Sequence, residues 1–145
     1  MTTIAWDGTT LAADRAAWSG GMKYRVRKVH KVKAPDGAVY LAAFCGDGHF
    51  AESVLRWMNG GPHPGAYPNT DNVTIAVVIT ESRRIWRMDS TALRYGRVRE
   101  TVHACGAGQD FAIGALEAGA TAVQAVHIAI KRSDMAGMGV DWVRF

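Results

Sequence analysis

The chain has 145 residues, a formal net charge of +4 and a 48% hydrophobic composition, with 16 glycines and four prolines. That length predicts one domain over residues 1–145 with a real apolar core, and it excludes a low-complexity or intrinsically unfolded chain. Two cysteines exclude a disulfide scaffold and suit a reducing compartment, here the cytoplasm; no signal peptide and no run near the ~20 apolar residues of a membrane span is visible.

Thr3 to Trp6 reads as a short strand, Asp7-Gly8 as a hairpin turn, and Thr9 to Ala13 as an extended return. Ser19-Gly20-Gly21 breaks the chain. Tyr24 to Val32 alternates as one strand, Pro35-Asp36-Gly37 turns, and Ala38 to Phe44 forms an apolar strand. From His49 to Met58 the period becomes helical, with Phe50, Val54, Leu55 and Met58 on one side. Asn59-Gly60-Gly61 ends that helix, and residues 60–72 (GGPHPGAYPNTDN) form a loop carrying three of the four prolines.

Val73 to Ile79 is a β-branched run suited to a central strand, with Arg83 to Met88 as its hairpin partner. Val98 to Ala104 is a further strand. Asp110 to Glu117 is an alanine-rich helix, and Thr121 with Gln124 forms a capping box for a second helix reaching about Arg132. Its apolar stripe is Val123, Val126, His127 and Ile130, and Val140 to Phe145 is a last strand. Strands, helix, strands, two helices and a strand predict two antiparallel sheets packed face to face with helices outside both, an α+β αββα sandwich.

The segment KYRVRKVHKVK presents a problem of burial. Alternation puts Lys23, Arg25, Arg27, Val29, Lys31 and Lys33 on a solvated face and Tyr24, Val26, Lys28, His30 and Val32 on an inward one. Lys28 therefore sits on the wrong side. Two readings stay open: the side chain snorkels to water, or it is buried and paired with a carboxylate, for which Asp14 after Leu11-Ala12-Ala13 is the natural partner.

An ion pair needs a nucleophile beside it to do chemistry. The chain has no GxSxG elbow; Cys45 and Cys105 lack an activating arrangement, and the five histidines are scattered without metal-ligand spacing. What is left is Thr2. Removal of Met1 gives it a hydroxyl and a free α-amine of reference pKa ~7.7–8.0, a nucleophile and a general base on one residue.

Several ordered fragments then match a known pattern: TTIAWDGTTLAADR at the start, RKVHKV, AAFCGDG before the first helix, ACGAGQDFA before the second, and KRSDMAGMGV near the end. Across almost its whole length the sequence resembles proteasome β-type and HslV-type subunits of the N-terminal-nucleophile hydrolases. The resemblance implies a threonine-type endopeptidase of a self-compartmentalising protease. Thr2 would be the nucleophile, Lys28 its tuning lysine, Asp14 the aspartate orienting that lysine, Gly46 the oxyanion donor through its N–H, and Asp134 a supporting aspartate. Phe44, Val26 and Ala17 would line the first specificity pocket with a modest apolar preference.

Ala107 stands where the family has a supporting serine, and Gly137 where proteasomal β subunits often have one. The chain is also shorter than the usual member, chiefly between Gly60 and Asn72, where relatives continue into a second long helix. The resemblance further implies no cofactor or metal, a polypeptide substrate, self-association into a ring or stacked rings, an ATP-dependent unfoldase as partner, and no membrane. A catalytically inactive structural subunit of the same fold is the second reading, motivated by the two missing hydroxyls. A nucleic-acid-binding module ranks third. The basic stripe from Lys23 to Lys33 and the block from Arg83 to Arg99 support it, but Glu81, Asp89 and Glu100 interrupt the second block.

Overall fold

The computed structural model describes residues 2–65, 74–89 and 95–145. Strand β1 (Thr3–Trp6) turns at Asp7-Gly8 into β2 (Leu11–Asp14), and a second hairpin follows from β3 (Ala16–Ser19) to β4 (Met22–Arg25). Then come β5 (Val29–Lys33), β6 (Val39–Cys45), helix α1 (Gly48–Met58), β7 (Ile75–Thr80), β8 (Ile85–Asp89), β9 (Tyr95–Val98) and β10 (His103–Gly106). Helices α2 (Gln109–Glu117) and α3 (Ala122–Arg132) precede β11 (Val140–Val143).

Among the described residues the strands form a four-stranded sheet in the order β10-β1-β2-β11, a five-stranded sheet β5-β6-β7-β8-β9, and a ribbon β3-β4, all with antiparallel pairing. Three apolar layers result. Ile4, Trp6, Leu11, Val29, Leu41 and Val77 fill the space between the two large sheets. Ala5 and Ala12, on the opposite face of β1 and β2, meet α2 and α3 through Ala112, Leu116, Ala125 and Val126. Ala42, Phe44, Ala76 and Val78 meet α1 through Phe50 and Val54. This is the predicted αββα sandwich. The alanines let α2 and α3 lie close on their sheet. No helix among the described residues is long and apolar enough to cross a membrane.

Helix ends follow their caps. Asp47 accepts the N–H groups of His49 and Phe50 at α1, and Thr121 with Gln124 closes the expected capping box at α3. Asp7 does more than turn a hairpin: one carboxylate oxygen accepts from Thr9 and Thr10, and the other accepts the N–H of Ala122 at 2.8 Å, tying the β1–β2 turn to α3.

Two long predicted strands are in fact pairs of strands in different sheets. Tyr24 to Val32 divides at residues 26–28 into β4, paired with β3, and β5, paired with β6. The hairpin partner β3 carried no clear strand signal beside Ser19-Gly20-Gly21. Val29, assigned to the charged face by alternation, is fully buried between the sheets. Alternation fails there because the break resets the phase. Val98 to Ala104 likewise divides into β9, paired with β8, and β10, paired with β1. On α3 the buried face is Ala122, Ala125, Val126 and Ala129, and His127 points outward. Val73 and residues 66–72 of the proline-rich loop lie outside the described residues.

Candidate active site

The break at residues 26–28 positions the lysine. After β4 the chain is held to β3 by the Val26 N–H donating to the Arg15 carbonyl at 2.9 Å, and it joins β6 through the Phe44 N–H donating to the Lys28 carbonyl at 3.1 Å. Lys28 thus sits at the crossing point between sheets rather than on a strand face. It is 7% exposed, and its Nζ lies 3.1 Å from Asp14 Oδ1 and donates to the Ala16 carbonyl at 2.5 Å. The lysine does not snorkel.

Asp14, at the end of β2, is fully buried. Besides Lys28 it accepts three backbone N–H groups: Thr3 at 2.8 Å on Oδ1, and Ala16 and Gly137 at 3.1 Å on Oδ2. One carboxylate therefore joins the first strand, the start of β3, the turn before β11 and the lysine. Burial pushes the Lys28 ammonium below its ordinary pKa, and Asp14 partly offsets that by favouring the charged form.

Thr2 is buried, and its carbonyl accepts the Ala107 N–H at 2.7 Å. The preceding Gly106 has φ +96°, and a Cβ there would overlap the Thr2 carbonyl, so glycine is required for the approach. Gly46 follows β6 with φ +95°, and a Cβ would overlap the Thr74 side chain. Thr74 also holds the next residue, since its Oγ1 accepts the Asp47 N–H at 3.0 Å.

Thr2, Lys28 and Gly46 line one cleft of about 390 Å³, with Ala17, Val26 and Phe44 also in its wall. The cleft is thus lined by a buried lysine and a buried threonine. Asp134 sits apart from these contacts, exposed on the turn after α3. That turn reaches the cluster through Gly137. Sequence reasoning missed the backbone donors to Asp14 because nothing in a linear sequence places residue 137 beside residue 14. It also missed His30, which lines the same cleft with its ring 5.9 Å from that of Phe44. Its place on the inward face was the available signal.

No family model and no curated protein matches the chain. Solved structures do match its fold. Anbu, the ancestral β-subunit from Yersinia bercovieri, superposes with a TM-score of 0.71 at 9% identity, covering 100% of this chain and 82% of that one. HslV from Trypanosoma brucei gives 0.67 at 17% identity, covering 99% and 98%. The helical assembly of the Anbu complex from Pseudomonas aeruginosa gives 0.70 at 12% identity, covering 100% and 81%. At these identities the likeness is one of fold. The trypanosomal HslV is matched over nearly its full length, so the chain is short relative to the Anbu subunits and not to every protein of this architecture.

Proposed function

We propose that the chain, sharing the fold of HslV and Anbu subunits, is a threonine-type endopeptidase subunit whose nucleophile is Thr2 after removal of Met1. The observation that carries this reading is the buried Lys28–Asp14 ion pair at a cleft that Thr2 and Gly46 also line. The Thr2 hydroxyl attacks a peptide carbonyl while the α-amine of the same residue takes its proton and passes it to the leaving amine. Lys28, held by Asp14, sets a positive potential at the hydroxyl and lowers the cost of its deprotonation. The Gly46 N–H stabilises the developing oxyanion, and water then hydrolyses the threonyl ester.

Asp134 belongs to this reading as a supporting carboxylate on the turn that carries Gly137. A modest preference for apolar residues follows from Ala17, Val26 and Phe44. Self-association into a closed or stacked assembly would confine the site, and the helical assembly of the Pseudomonas Anbu complex is a precedent of similar fold. An ATP-dependent unfoldase would then feed polypeptide into the chamber, and two free thiols suit the cytoplasm.

The test couples intact-mass measurement of natively produced protein to turnover of fluorogenic peptides. Loss of Met1, turnover, and its abolition by Thr2→Ala are expected. Absence of turnover after enzymatic trimming to Thr2 favours instead an inactive structural subunit, for which Ala107 and Gly137 in place of hydroxyl side chains are the motivating observation.

A further inference from the structure

Helix α1 covers only part of the outer face of the five-stranded sheet. It packs over β5 and β6, and its apolar layer reaches Met88 and the half-buried Trp86 of β8. Ile85 of β8 and Val98 of β9 are register partners, and both turn into the layer between the sheets. Alternation therefore sends their neighbours to the outer side. Arg84 continues the β7–β8 ladder, its carbonyl accepting the Thr80 N–H at 3.0 Å, and so faces outward with Trp86. Arg97 lies directly opposite Trp86, and the same register carried one residue on sets Arg99 opposite Arg84.

Three exposed arginines thus share a face with one indole on two strands. Among the described residues none of the three forms an ion pair. Glu81, Asp89 and Glu100, the carboxylates nearest in sequence, pair with none of them. Like charges set opposite one another on neighbouring strands are destabilising, and no carboxylate among the described residues relieves these.

We propose that this β8–β9 face binds single-stranded nucleic acid. Each guanidinium can hold a phosphate through two parallel N–H donors. Arg84 and Trp86, like Arg97 and Arg99, are two residues apart, about 7 Å along a strand. The charges therefore form a narrow track suited to a chain of phosphates rather than a point site for one small anion. Trp86 supplies a flat apolar surface within that track, on which a base stacks while its cross-strand partner Arg97 holds the adjoining phosphate. A duplex keeps its bases stacked inside and gains the phosphate contacts alone, so the single strand is favoured. This surface goes beyond the peptidase reading and is independent of it: β9 is at the opposite edge of its sheet from β5, whose His30 lines the cleft.

The experiment follows the fluorescence anisotropy of a labelled oligothymidylate with the full chain over a salt series. Three phosphate contacts predict a slope of log affinity against log salt of about −2. Arg97→Gln combined with Arg99→Gln should weaken binding at least ~10-fold at low salt and flatten the slope to about −1 or less. Lys31→Gln combined with Lys33→Gln removes the same formal charge from β5 and should change affinity less than ~3-fold. All four side chains are exposed, so both double variants should melt as the parent does. An abasic strand of equal length should bind at least ~5-fold more weakly than the base-bearing one. No binding by the parent at low salt, or equal losses from the two double variants, overturns the site. An abasic strand that binds as well as the base-bearing one overturns nucleic acid as the occupant and leaves a plain polyanion surface.

Discussion

Asp14 Oδ1 accepts both the Thr3 N–H at 2.8 Å and the Lys28 ammonium at 3.1 Å, so one buried oxygen ties the first strand to the lysine of the cleft. The two partners of this ion pair are unequal. Asp14 without Lys28 keeps three backbone donors, whereas without Asp14 those donors lose their acceptor and the buried ammonium loses its counter-charge. Breaking a buried pair costs about 3–5 kcal/mol. Asp14→Ala should lie near or above the upper end of that range and Lys28→Met near or below the lower, both by chemical denaturation. Equal losses would show that the backbone donors do not depend on the carboxylate. Peptide turnover should fall by ~100-fold or more in both variants.

Gly46→Ala tests the proposed oxyanion donor through its backbone. At φ +95° a side chain is strained, and the new Cβ would overlap the Thr74 side chain. Together these should destabilise the fold by roughly 2–4 kcal/mol and abolish turnover. Gly48→Ala is the control: its Cβ meets nothing within 4 Å, and helix α1 begins there. It should leave stability within ~1 kcal/mol of the parent. If Gly46→Ala proves as mild as the control, the backbone at residue 46 is not held by Thr74.

Much of the architecture was legible because helices announce themselves by period and cap. Asp47, Thr121 and Gln124 are local signals that the fold uses as written. Strand ends were less legible. Nothing in Tyr24 to Val32 marks the transfer between sheets, because alternating apolar residues look the same whether one strand continues or two meet. The misplaced Lys28 was the visible trace of that break: a residue contradicting the pattern marked where the pattern stopped. The candidate site was readable at its side chains and unreadable at its backbone. Thr2, Asp14 and Lys28 are conspicuous by type, while the N–H groups of Ala16 and Gly137 carry no sequence signature.

Ala107 stands beside Thr2 with its N–H committed to the Thr2 carbonyl and its side chain exposed. A serine there adds a hydroxyl next to that N–H without disturbing the backbone. Under the peptidase reading Ala107→Ser should raise kcat by up to ~10-fold with little change in KM, the scale on which supporting hydrogen bonds tune a reactive group. A drop in kcat, or a change confined to KM, would count against a supporting role at this position.

Acid should loosen the fold through two partly buried histidines. Burial lowers the pKa of His30 below its ordinary 6.5, with the Arg27 charge adding to it, and burial with the Arg87 charge does the same to His103. His103 Nε2 has no hydrogen-bond partner among the described residues. Because both folded-state values lie below 6.5, the unfolded chain binds protons first as pH falls from 6.5 toward them. Stability is therefore fully present above that window, declines through it, and levels off once both states are protonated. Urea midpoints should be flat from about pH 8 to 7 and fall steadily toward about pH 5. His103→Leu should flatten part of that fall and His30→Leu another part, the two adding because the groups sit in different layers, one between the sheets and one beneath α1. A double variant as acid-sensitive as the parent would assign the acid response to other groups.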